Sequence, residues 1–202
     1  MIERWHRRSL RIAALLIATA TAQVLSPGMA HADDSTAYTF WVGHFAGSGN
    51  LLKWKDDTGA ISYGNGALAG ATSWSSATTH ITLTEVTSGA NIDVRLGQFG
   101  TNTESGQTNP SPVDSSGHWM TTVVWYFNTD NLSGSTPTQR KQVAVHEFGH
   151  ALGLAHTNRN QCSLTQMMAG SNPGEPPPAY NMFTCNYQDP RAGDVNGVNH
   201  LY

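Results

Sequence analysis

Residues 146–156 of this 202-residue chain read HEFGHALGLAH, and no other stretch restricts the fold so tightly. Histidines four apart lie one turn from each other on the same face of an α-helix, so His146 and His150 can direct their imidazoles at one point. Gly153 stands where that helix must end, because glycine takes positive φ without steric cost. Three residues later, His156 can return to the same point. The helix also has a start of its own. In STPTQRKQVAV, Thr136 is placed as N-cap, Pro137 occupies the first helical position, and Gln139 lies three residues after the cap in a capping-box arrangement. A helix running from Pro137 past His150 and broken at Gly153 is therefore predicted.

Three neutral imidazoles at one point form a zinc-ligand set, His146, His150 and His156, whose fourth position is left to water. Such a site is of the catalytic rather than the structural kind. Glu147 is next to the first ligand but rotated by about 100° around the helix. It can hydrogen-bond that water without binding the ion, and so serve as general base. The bland alternative, surface or core histidines on an ordinary helix, explains fewer of the five patterned positions. His44, His80, His118 and His200 fall outside the pattern and are expected to be exposed or structural.

The N-terminus reads as an export signal spanning residues 1–32. Arg4, Arg7, Arg8 and Arg11 form the basic region, Ile12 to Val24 the apolar region, and Ala30-His31-Ala32 the cleavage site. The apolar run is short for a membrane span, which needs roughly 20 residues. Arg7-Arg8 also leaves twin-arginine export open beside the general route. The expected mature chain, residues 33–202, carries seven basic and thirteen acidic residues, a net charge of −6 with histidine neutral. Nucleic acid is therefore not an expected partner. No second apolar stretch suggests membrane residence. Two cysteines, Cys162 and Cys185, are most simply one disulfide in an exported protein, the rival being that one thiolate binds zinc.

Strand candidates are YTFWVGHF (38–45) and AISYG (60–64), then HITLTEV and NIDVRLGQF joined by a short TSGAN turn, and finally MTTVVWYFN (120–128). Asn65 to Ala77 is predicted helical despite Gly70. Residues 97–117 read as a long surface loop. AGDVNGVNHLY is expected to close the chain as a short helix capped by Asp194. Asp56, Asp57, Asp93, Glu104, Asp130 and Asp194 could hold a structural calcium ion, although they form no loop motif.

HEFGHALGLAH resembles the metzincin zinc-binding signature, and HEFGHALGL is especially similar to its matrixin branch. The resemblance implies a methionine turn beneath the metal. SLTQMMAG offers Met167 and Met168, and Met168 is preferred because Met-Ala-Gly resembles the Met-Ser-Gly of snapalysin-type secreted bacterial proteases. Snapalysins carry aspartate as third ligand where this chain has His156, so the likeness is divided, although the cysteines around the methionine segment also resemble that group. GDVNGVNHLY is similar to the terminal helix of matrixin catalytic domains, and ALAGATSW to their first helix. Neither a cysteine switch, nor a tyrosine ligand, nor the histidine-rich loop for a second zinc is found.

The resemblance implies an α/β (α+β) metzincin, zincin-like fold: a twisted mixed sheet, a backing helix, the zinc helix, and a small irregular C-terminal subdomain beyond Gly153. It implies a secreted, monomeric zinc metalloendopeptidase whose polypeptide substrate binds as an extended strand along a sheet edge. Ala169 to Tyr187 would then wall the substrate pocket. Two rivals are a secreted zinc hydrolase with a non-protein substrate and a zinc-bearing binding module without turnover.

Overall fold

The computed structural model describes residues 38–41, 43–47, 51–78, 80–101, 104–157, 162, 167–169 and 181–202. The expected export signal with its cleavage site, and most of the segment from Ala169 to Tyr187, lie outside the described residues. In chain order the elements are β1 (Leu51–Asp56), α1 (Ile61–Ala77), β2 (Thr82–Glu85), β3 (Ile92–Gly97), β4 (Gly106–Asn109), β5 (Val123–Asn128), α2 (Thr129–Leu132), α3 (Pro137–Ala151) and α4 (Ala192–Leu201). The sheet order is β2-β1-β3-β5-β4. β2, β1, β3 and β5 are mutually parallel, and β4 closes one edge antiparallel to β5. This is the mixed sheet of an α+β fold, as expected. No helix among the described residues is long and apolar enough to cross a membrane.

Period-two burial accounts for the central strands. Val123, Trp125 and Phe127 of β5 are fully buried on one face while Val124 and Tyr126 are half-buried on the other, which suits an interior strand covered on both sides. Phe148 of α3 wedges into this core. It meets Trp125 edge-on at 5.1 Å and Trp54 of β1 at 5.8 Å, so the helix that carries the histidines is anchored to the sheet by its own next-door residue. Such aromatic pairs add about 0.5–1.5 kcal/mol each beyond the area they bury.

The glycines of α1 lower its helix propensity, and the packing shows why they are there. A Cβ at Gly70 would stand 2.6 Å from Ala144 Cβ, and one at Gly66 would stand 2.9 Å from Arg140 Cβ. Small residues let α1 and α3 approach closely along their length. Trp74 of α1 then donates its indole N–H to the Val145 carbonyl at 2.8 Å, which keys the register of α3 one residue before His146.

Several elements differ from expectation. Residues 60–64 belong to the start of α1 rather than to a strand. The described residues among 38–45 make only isolated bridges, Phe40 with Leu154 and His44 with His118, because their partners are loops and not the sheet. The first strand is instead LLKWKD, where Leu52 and Trp54 face inward between lysines. It lies between β2 and β3, so the two strands joined by the short turn are not neighbours. Four residues of the expected surface loop form β4. Asp194 is not the cap of α4: Arg191 is, and Asp194 stands at the third helical position with its carboxylate turned inward.

Candidate metal centre

Thr136 caps α3 as expected. Its hydroxyl accepts from the Gln139 amide at 3.2 Å, while the Gln139 side chain accepts from the Thr136 amide at 2.9 Å. After Ala151 the chain turns at Gly153, whose φ is +104°. A Cβ there would stand 2.8 Å from the Gly43 carbonyl oxygen, so both the angle and the space require glycine. The turn carries His156 back to the helix.

The three histidines meet. His146 Nε2 lies 3.2 Å from His150 Nε2 and 3.1 Å from His156 Nε2, and the third side of the triangle is 3.0 Å. Their outer nitrogens explain what this triangle is for. His146 Nδ1 lies 2.7 Å from the Met167 carbonyl and His150 Nδ1 lies 2.8 Å from the Leu154 carbonyl. A carbonyl only accepts, so each Nδ1 carries the proton and each Nε2 of these neutral rings presents a lone pair. Lone pairs facing each other at 3.2 Å repel unless a cation lies between them. Tetrahedral zinc with bonds of roughly 2.0–2.1 Å separates its ligands by about 3.3 Å, so the donor set fits that ion. Among the described residues these three form the only such metal-ligating cluster.

Electrostatics point the same way. Burial, reinforced by His156, pushes the His146 imidazole down to about 3, and His150 is held well below its ordinary value by burial and then by His146 and His156. Both rings are neutral and ready to bind metal at neutral pH. Burial pushes the Glu147 carboxyl up to about 8, against the opposing hydrogen bond from Thr108.

Support for the ligands comes from three directions. The Trp41 ring stacks on His150 at 4.5 Å and 13°. Residues 39–41 run antiparallel to the ligand loop: Trp41 N–H donates to the Gly153 carbonyl, Ala155 N–H to the Thr39 carbonyl, and Thr39 Oγ1 to the His156 carbonyl. From below, Met168 lies against Gly149, where a Cβ would collide with its sulfur, and Met167 supplies the carbonyl for His146. Asp194 holds both methionines in place through their backbone amides, at 2.8 Å to Met167 and 3.2 Å to Met168. Thr157 N–H donates to the Met168 carbonyl and ties the end of the ligand loop to the same segment.

Cys162 and Cys185 form a disulfide, so neither sulfur is a free thiolate for the metal. Five of the six carboxylates considered for calcium have other partners. Asp57 pairs with Lys55, Asp93 with Arg95, and Asp194 with the methionine amides, while Asp56 and Asp130 accept from the Thr58 and Gly100 amides. His44 and His118 lie edge to face at 5.1 Å, and His200 stacks on Phe40.

The features missed in the sequence were Trp41, Thr39, Thr108 and the inward role of Asp194. Only Asp194 left a trace, a carboxylate near the start of a helix, and that pattern has the more common meaning of a cap.

A three-histidine set built across a helix and a glycine turn, with His146 and His150 held neutral by burial and a buried carboxyl group beside them, fits a zinc-dependent metallohydrolase. The family model described as Matrixin matches residues 18–202, and the chain belongs to that family of zinc-dependent metalloproteases, which act on polypeptides. No curated protein matches the chain.

Proposed function

We propose that this protein is a secreted endopeptidase in which His146, His150 and His156 hold zinc and Glu147 is the general base. The observation that carries the reading is the triangle of Nε2 atoms on the same helix-and-turn unit that carries the buried Glu147 carboxyl. Zinc bound there supplies Lewis acidity toward an attacking water and the scissile carbonyl. Glu147 removes a proton from that water and returns it to the amine as the C–N bond breaks. Its burial favours a carboxyl group that holds the proton between the two steps.

Met167 and Met168 form the floor under the ligands, with the Met168 side chain against α3. The polypeptide adds as an extended strand along β4, the antiparallel edge, where backbone hydrogen bonds provide affinity. Secretion is supported by the arginine-led apolar N-terminus and by the disulfide, which needs an oxidising compartment. A monomer suffices, since all ligands and the base come from one chain.

The test is Glu147→Ala in the zinc-loaded protein, assayed on casein or gelatin. The variant should keep its zinc and lose peptide hydrolysis, by about a thousandfold or more for a missing acid-base group. Equal cleavage by both forms would refute the assignment.

A further inference from the structure

Glu147 is gripped by the edge strand. Thr108 Oγ1 of β4 lies 2.6 Å from Glu147 Oε2 and 3.2 Å from the main-chain carbonyl of the same residue. On the other side of the carboxyl, a Cβ at Gly106 would collide with Oε1 and stand 2.8 Å from Cδ. Burial alternates along β4, with Gly106 and Thr108 buried and Gln107 and Asn109 exposed. The two residues that meet the carboxyl are thus the inward pair of a strand otherwise composed of polar residues without an apolar face.

We infer that Gly106 and Thr108 are the positioning residues of Glu147, the hydroxyl fixing one carboxyl oxygen and the bare Cα leaving room for the other. The inference rests on Glu147 being the base. A glutamate has three rotatable side-chain bonds, and a base is effective only when its oxygen is held at the right place. Thr108 does this with one hydroxyl and two acceptors. The Thr108 O–H reaches both Oε2 and the Glu147 main-chain carbonyl, so one side chain ties the carboxyl to its own backbone. β4 is also an edge strand, so the strand proposed to receive the substrate is the one that aims the base.

The experiment compares wild type, Thr108→Val, Thr108→Ser, Gly106→Ala and Glu147→Gln as full, zinc-loaded chains on one peptide substrate. Valine matches threonine in shape, and zinc content and melting temperature verify that each variant is folded and loaded. Thr108→Val and Gly106→Ala should lower kcat by about tenfold to a hundredfold with KM changed by no more than about twofold, and Thr108→Ser should recover most of the loss. In the metal-free protein, the infrared difference spectrum against Glu147→Gln isolates the Glu147 carboxyl band. That band should shift in Thr108→Val and stay in place in Thr108→Ser. Wild-type kcat in Thr108→Val, or serine as impaired as valine, overturns the positioning role while an inactive Glu147→Gln keeps the base. Full turnover in Glu147→Gln overturns both.

Discussion

Asp194 is 1 % exposed, and its carboxylate accepts three main-chain amides: Met167 and Arg191 on Oδ2 at 2.8 and 2.9 Å, and Met168 on Oδ1 at 3.2 Å. Replacing it with alanine leaves the two buried methionine amides without this acceptor. Each buried donor so orphaned costs about 1–3 kcal/mol, which sums to about 2–6 kcal/mol before the half-buried Arg191 amide is counted. Against a domain stability of about 5–15 kcal/mol this is a large share. The damage should also reach the metal, because the Met167 carbonyl orients the His146 ring through Nδ1. Losing the support of a ligand typically weakens metal binding about tenfold to a hundredfold. Asp194→Asn keeps one accepting oxygen but turns an NH2 group toward an amide, so its cost should be smaller, about 1–3 kcal/mol. Urea unfolding of the zinc-loaded protein and competition with a chelator of known affinity measure the two effects. An alanine variant within about 0.5 kcal/mol of wild type, with zinc affinity unchanged, would refute the proposed chain from Asp194 through Met167 to His146.

Two further outcomes are expected. Reducing the Cys162–Cys185 bond, or replacing both cysteines with serine, frees a loop of 23-residue separation and should lower unfolding free energy by about 3 kcal/mol, read as a lower urea midpoint. The stability of the metal-free protein should depend on pH in both directions. His146, held down to about 3, and His150, also held low, contribute stability that is present above their unfolded value of 6.5 and lost as pH falls. Glu147, pushed up to about 8, contributes stability that is present below its unfolded value of 4.5 and lost as pH rises through 8. Together they place the optimum of these groups near pH 6.5, and urea midpoints at pH 5, 6.5 and 8.5 should show a maximum at the middle value. A monotonic trend would contradict the burial of one class or the other.

What could be read from the chain was what is decided locally. The capping box at Thr136, the proline after it, the histidine spacing and the glycine break are short-range features, and they appear in the structure where the residues place them. The misreadings occurred where distant partners decide. Residues 38–45 have the aromatic content of a strand, yet residues 39–41 pair with the ligand loop around residues 153–155 and His44 pairs with residues 117–119, both outside the sheet. β4 has no hydrophobic alternation because its inward face, Gly106 and Thr108, packs on a carboxyl group and not on a core. LLKWKD did carry the period of two, masked by its lysines and aspartate. Asp194 sits where a helix cap is expected, and only the folded chain brings the methionine amides to it.

In the proposed mechanism, zinc held by His146, His150 and His156 makes this chain a protease. The direct measurement is casein cleavage by the purified protein of measured zinc content, after removal of the metal by a chelator and again after zinc is restored. Activity should fall in step with zinc, return with one equivalent, and fail to return in His150→Ala. Cleavage that persists in protein shown to be free of metal would contradict the account.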